Sequence, residues 1–442
     1  MFDSYLSLLR QYIAIPSIST DPAHRDSITQ CASWLHQLLT QHGFSSQIIT
    51  WYGNPVIIAK YSPLWRRGVG GEVLIYGHYD VQPADISEWW TQDPFDLQVT
   101  DDKLIARWAI DNKWQLMIHL ATVLDLIKRG ELAYNVTMLI EWDEETWWWD
   151  MVWLIRDYAH LLDADLCLVS DGEMIWRWQP VIETGFRWWA NMTLKLQTAT
   201  TDAHSGIYWG ILPNAAHELS QLISKMHDKQ GQTLPLLLHW LQLPSLEERG
   251  RGWGLPNVDL EIVESTGAKS LLKPAELDSY TVTGNLPTMQ ITGIESGYIW
   301  VWYRNAVPST ASCKMNLRLI AWQDPTAIMK TIETRISEQI PHYVDHTITW
   351  SDSRPATIIT TDSPWINHTK DILEQVFATS VPFKYCGWSL PIVWLLQELG
   401  LTCVMVPLAN QDCLMHGVGE NFALETCRKW LEFSRQFFSI PM

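Results

Sequence analysis

Five short stretches of this chain carry almost no polar residue: Val56-Ile57-Ile58-Ala59, Val73-Leu74-Ile75-Tyr76, Val136-Thr137-Met138-Leu139-Ile140, Leu166-Cys167-Leu168-Val169 and Cys403-Val404-Met405-Val406. A strand with one wet face alternates apolar and polar side chains, so runs that are apolar on both faces belong between two layers of other structure. Segments of helical spacing lie among them: Tyr5 to Tyr12, Ser27 to Gln41 ending at Gly43, and Gln115 to about Lys128 stopped by Gly130. Alternating strand and helix predict βαβ units, and hence an α/β fold with a mainly parallel sheet flanked by helices.

Near Phe186 the pattern changes. Asn191 to Gln197 and Lys314 to Leu319 alternate apolar with polar residues, which predicts a sheet with one face against water or a partner. Helices near Ala215–Met226 and Thr326–Ile336 would cover the other face. We therefore expect a catalytic domain in two parts, 1–184 and 353–442, split by an inserted α+β domain over 185–352. Two or three compact units suit a chain of 442 residues. The stretch Leu234 to Ser270, rich in Pro, Gly and charge, reads as a long excursion within the insert.

Composition removes several function classes. With 31 basic and 49 acidic side chains the net charge is −18, which opposes binding to nucleic acid or to anionic lipid. No segment reaches the roughly 18 uninterrupted apolar residues of a membrane span. Asp3 and Arg10 break any secretory-signal pattern at the start. Seven scattered cysteines with no Cys-x-x-Cys pair suit a reducing compartment. A soluble cytoplasmic protein is expected.

In open α/β sheets, function gathers beyond the carboxyl ends of the strands. Gly77-His78-Tyr79-Asp80 follows the second apolar run, Glu141-Trp142-Asp143-Glu144-Glu145 the third and Ser170-Asp171 the fourth, while His416 comes ten residues after the fifth. Asp111-Asn112-Lys113 precedes the Gln115 helix, which Asp111 taken alone could simply cap. So many acids in one crevice need a counter-charge, and a divalent metal supplies it. Mixed imidazole and carboxylate ligands favour Zn²⁺, or Mn²⁺ or Co²⁺, over Ca²⁺. Two histidines and three carboxylates suffice for two ions if one carboxylate bridges, a common device for hydrolysis. Asp80 and Glu144 are then left for orienting and general-base work.

The strings GHYDVQP (77–83), RWAIDNKWQ (107–115), EWDEET (141–146), SDGEM (170–174), DAHSGIYWG (202–210), RLIAWQDP (318–325), CGWSLP (386–391) and the MHG around His416 resemble, in order, the motifs of the co-catalytic zinc exopeptidases, and most of all their dipeptidase branch. The resemblance implies His78, Asp111 and Asp171 on one zinc and Asp111, Glu145 and His416 on the other. It further implies that Asp80 orients His78, that Glu144 acts as general base, and that the Asp111–Asn112 peptide is cis. The insert becomes a dimerisation or lid domain whose His204 reaches the partner subunit's site and stabilises the oxyanion. Asn305, Arg318 and Ser389 fall where relatives hold the substrate's carboxylate and backbone; Arg318, on an alternating strand, reads equally as a surface charge. The implied activity is amide hydrolysis of dipeptides or short peptides by a homodimer, with N-acyl-amino-acid deacylation or a silent peptide- or metal-binding relative as the alternatives.

One departure is systematic. The chain has 27 Trp against 23 Gly, so glycine supplies about 5% where about 7% is usual. Relatives carry Gly where this chain has Trp108, Trp114, Trp142, Trp147, Trp188, Trp209, Trp300, Trp302, Trp322 and Trp388. We read these as UGA glycine codons rendered as tryptophan. The competing reading is an aromatic-lined cleft.

Overall fold

The computed structural model describes residues 1–63, 71–84, 90, 92–107, 109–146, 149–226, 255–321, 323–415 and 417–442. They form two compact units, Met1–Thr184 with Ile359–Phe383 and Leu395–Met442, and Gly185–Ile358 with Lys384–Trp394. Among the described residues no helix is long and apolar enough to cross a membrane. The excursion expected at Leu234 to Ser270 lies mostly outside the described residues; its end carries a short helix, Asp259–Thr266.

The first unit is built on a sheet in the order Ser45–Ile49, Val56–Tyr61, Asn135–Glu141, Glu72–His78, Leu166–Val169, Thr402–Met405, Ile182–Phe186. Its middle four strands are mutually parallel, and the outer pairings are antiparallel. The parallel strands are the doubly apolar runs of the sequence, buried almost from end to end. Ser45–Ile49 escapes a sequence reading because only Ile49 in it is buried, as befits an edge. Gln115–Arg129 is buried continuously from Gln115 to Leu124 and packs on Leu424–Ser439 and Phe2–Ile13. It stops at Gly130, whose left-handed φ of 70° an L side chain would resist.

Register positions the chemistry. His78 pairs with Glu141 and Tyr76 with Val169, so Glu72–His78 and Asn135–Glu141 finish level, Leu166–Val169 ends two residues earlier, and the chain beyond each opens on one rim.

The second unit contains a four-stranded antiparallel sheet in the order Thr288–Ser296, Thr310–Leu319, Trp188–Gln197, Asp345–Arg354. Burial alternates along Trp188–Gln197 and Thr310–Leu319, as a one-sided sheet requires. Met192, Leu194, Met315 and Leu317 meet Leu219 and Leu222 of Ala215–Met226 and Ile328, Ile332 and Ile336 of Pro325–Gln339 in one core. Asp324 caps the latter helix by accepting from Thr326 N and Ala327 N, with Pro325 at its first position. The segment Lys384–Trp394 packs with this unit, although the sequence places it in the second catalytic part. Three hydrogen bonds tie it to Arg187: Arg187 Nε donates to Gly387 O, Arg187 N to Trp388 O, and Ser389 Oγ to Arg187 O.

Candidate metal centre

His78 ends its strand with its ring fully buried. Its Nδ1 lies 3.1 Å from Asp80 Oδ1, which leaves Nε2 facing Asp111 Oδ1 at 2.9 Å and Asp171 Oδ2 at 3.8 Å. One ligand atom from each of His78, Asp111 and Asp171 lies within 4.8 Å of the others. A carboxylate behind the Nδ1 proton selects the tautomer in which Nε2 is the free donor, the arrangement typical of a metal-binding imidazole. The other oxygen of Asp80 accepts from Glu145 N at 3.1 Å, so one buried carboxylate fixes both the ring and the turn that carries Glu145.

Asp111 lies in extended backbone (φ −117°, ψ 97°) before the Gln115 helix, and its peptide bond to Asn112 is cis. Trp114, not Asp111, is the residue that begins that helix, and its side chain makes no cap hydrogen bond. The residues after Asp111 hold the segment from both sides. Asn112 Nδ2 donates to Ser170 O at 2.6 Å, and the buried Lys113 Nζ donates to Tyr12 O at 3.1 Å and Ile15 O at 2.7 Å. Gly77 makes the approach possible: a Cβ there would lie 2.8 Å from Asn112 Oδ1 and 2.9 Å from Leu116.

Electrostatics follow from the crowding. Burial opposes charge on His78, but hydrogen bonds to Asp111 and Asp80 outweigh it and raise its pKa well above the usual value. Burial, then the charge of Asp111, raises Asp171. Burial, Asp111 and Glu144 push Glu145 up to about 10. Carboxyls forced towards their protonated form by one another are the environment that a dication relieves. The donor set therefore fits a divalent metal: one imidazole nitrogen and two carboxylates converge, all buried, with a third carboxylate behind the ring.

Glu145 accepts from Gln82 Nε2 at 2.6 Å, and the half-buried Glu144 acts electrostatically on Glu145 and Asp171. His416, expected as a ligand, lies outside the described residues, as do Trp108, Trp147 and Trp322. The other four expected residues belong to the second unit. His204 is exposed on a two-residue strand paired with Ala306–Val307, and its Nδ1 accepts from Gly206 N. Exposed Asn305 accepts from Ser205 N through its carbonyl. Arg318 is half-buried, with Nη1 3.3 Å from Ser389 Oγ and Nε 3.2 Å from Asn316 Oδ1. Arg187, which the sequence reading passed over, is so close that burial and the Arg318 charge bring its pKa down to about 9. The reading gave no role to Gln82 or Ser170 and passed over His119, for which the signal was present, a polar residue inside the apolar run Leu116-Met117-Ile118-His119-Leu120.

Of the tryptophans at expected glycine positions, Trp114, Trp142 and Trp188 are buried, and Trp388 packs edge-on against Phe186. Trp209, Trp300 and Trp302 are 79%, 70% and 78% exposed.

Comparison with known proteins follows the same lines. The peptidase dimerisation domain family matches residues 190–344. A cysteinylglycine-S-conjugate dipeptidase of Corynebacterium striatum is 25% identical over 426 residues, covering 93% of this chain and 90% of that protein. A Cys-Gly metallodipeptidase of Schizosaccharomyces pombe is 22% identical, covering 97% and 94%. The crystal structure of an M20 family metallo-carboxypeptidase from Sulfolobus solfataricus superposes with a TM-score of 0.82 at 22% identity, over 98% of each chain. The exopeptidase resemblance read from the motifs thus extends along nearly the whole chain, and its α/β fold with an inserted dimerisation domain is that of M20 peptidases.

Proposed function

We propose that this chain, an M20-type metallopeptidase, hydrolyses the amide bond of dipeptides or short peptides, using divalent metal held by His78, Asp111 and Asp171 and a second ion held by Asp111, Glu145 and His416. The observation that carries the reading is the buried convergence of His78, Asp111 and Asp171, with Asp80 behind the imidazole. Zn²⁺ suits this donor set, as do Mn²⁺ and Co²⁺. When bound, the ions supply Lewis acidity to the scissile carbonyl and acidify the attacking water.

The chain's own groups do the rest. Asp80 keeps His78 Nε2 aimed at the centre. Glu144, beside Glu145, takes the proton of the attacking water and returns it to the leaving amine. Arg318, with Ser389 on its Nη1, binds the substrate carboxylate; the proximity of Arg187 makes that region favourable to an anion. Asn305 holds the substrate backbone, and His204 donates to the developing oxyanion in the partner subunit's site. A homodimer is supported by the match to the dimerisation domain and by the exposed apolar residues Ile207, Ile299 and Val301 of the second unit. Seven free, buried cysteines suit the reducing cytoplasm.

The test is a paired assay of metal-loaded protein on dipeptides and on N-acyl amino acids, repeated after exhaustive chelation and again after metal is restored. Dipeptide turnover that disappears and returns with metal supports the proposal. Turnover of N-acyl amino acids alone makes the chain a deacylase, and no turnover of either makes it a silent relative.

A further inference from the structure

We propose that His119 is a positioning residue: a buried hydrogen-bonded relay runs from the C-terminal helix through His119 to the backbone that carries Asp111 and Asp171, and it sets the spacing of the two carboxylates for metal. The inference rests on the proposed metal centre and deepens it.

His119 lies on the buried helix Gln115–Arg129 and is 1% exposed. Its Nδ1 is 3.1 Å from Ser434 Oγ on Leu424–Ser439, and its Nε2 is 2.8 Å from Ser170 Oγ. Phe433 and Phe438 meet the ring edge-on, with centroids 6.5 and 6.1 Å away, which limits its rotation. Ser170 is bonded directly to Asp171, and its carbonyl accepts from Asn112 Nδ2, the side chain next to Asp111. A single serine thus joins the two ligand-bearing segments through its carbonyl, and His119 holds that serine by its hydroxyl.

Burial keeps the imidazole neutral, with its pKa lowered to about 3. A neutral ring has one N–H and one acceptor nitrogen, so one serine hydroxyl accepts from it and the other donates to it. Both serine oxygens are thereby held to the ring. A ring retained only for packing needs neither contact, and phenylalanine would serve as well among these apolar neighbours.

His119→Phe keeps an aromatic ring, slightly larger, and removes the relay, Ser170→Ala removes one hydroxyl while keeping the carbonyl that holds Asn112, and His119→Gln can restore the donor or acceptor at the Nε2 position. Zn²⁺ or Mn²⁺ affinity is measured for each full-length protein by competition with a chelating dye, alongside the melting temperature, kcat and KM. The expected result is a fall in metal affinity of about 10- to 100-fold for His119→Phe and Ser170→Ala, with kcat lowered, KM little changed and recovery in His119→Gln. If His119→Phe does not fold, Ser170→Ala decides with the same readout. Unchanged metal affinity in a folded His119→Phe or Ser170→Ala overturns the inference. Failure of the unaltered protein to bind metal would instead refute the proposed metal centre, so the two failures are distinct.

Discussion

Asp80 offers the sharpest test of the centre, because one fully buried carboxylate serves two donors through two different oxygens: His78 Nδ1 at Oδ1 and Glu145 N at Oδ2, each 3.1 Å away. Asp80→Asn keeps the shape but supplies one acceptor where there were two. Whichever way the amide settles, an NH₂ faces one of the two N–H groups. A hydrogen bond to a charged group contributes about 1.5–3 kcal/mol, and a buried donor left unmet costs about 1–3 kcal/mol. Freed from Asp80, either the His78 ring turns or the Glu145 turn moves, and both carry proposed ligands. The expected loss in metal affinity is about 10- to 100-fold, or about 1.4–2.7 kcal/mol. Asp80→Ala removes both acceptors and should be the weaker binder of the two. Competition titration of the metal-free variants with Zn²⁺ against a chelating dye measures this, with circular dichroism to establish that they are folded. A folded Asp80→Asn within twofold of the unaltered protein, or an alanine variant no worse than the asparagine one, would refute the two-acceptor reasoning.

Three further outcomes are expected. Burial, then the charge of Asp80, pushes Glu141 up to about 8 from its usual 4.5, so the folded chain holds that proton more tightly than the unfolded one. Its contribution is whole below pH 4.5 and is lost as pH rises towards 8, so the metal-free protein should melt at falling temperature across that window, less steeply in Glu141→Gln; a flat profile in the unaltered protein would count against this. Glu144→Gln should abolish peptide hydrolysis and leave metal content intact, and mixed dimers of Glu144→Gln with His204→Ala subunits should regain part of the activity, whereas absence of any recovery would argue against a site shared between subunits. Intact mass of protein from its native host should fall below that of the written sequence by whole multiples of the tryptophan-to-glycine difference. The exposure of Trp209, Trp300 and Trp302, and the buried indole nitrogens of Trp114 and Trp142 without a hydrogen-bond partner among the described residues, accord with that expectation; a mass matching 27 Trp would end it.

The sequence by itself determined the central strands and the acids and imidazole at their ends. A strand buried on both faces has to be written almost wholly in apolar residues, and the change to His78, Glu141 to Glu145 and Asp171 marks where the strands end. The helix stop at Gly130 and the one-sided sheet of the second unit were legible for the same reason, since backbone strain and half-burial both leave local marks in composition. Edge strand Ser45–Ile49 left none, because its pairing with Val56–Tyr61 demands little of its side chains.

Only the tertiary structure decided how those pieces meet. That His78 pairs with Glu141, that Asn112 reaches Ser170, that His119 bridges two helices and a strand end, and that Lys384–Trp394 packs with the second unit are contacts between residues far apart in the chain. A hydrogen bond across such a distance constrains only the two groups that make it. Neither neighbour in the sequence needs to change to accommodate it, so the pattern along the chain carries no trace of the partner.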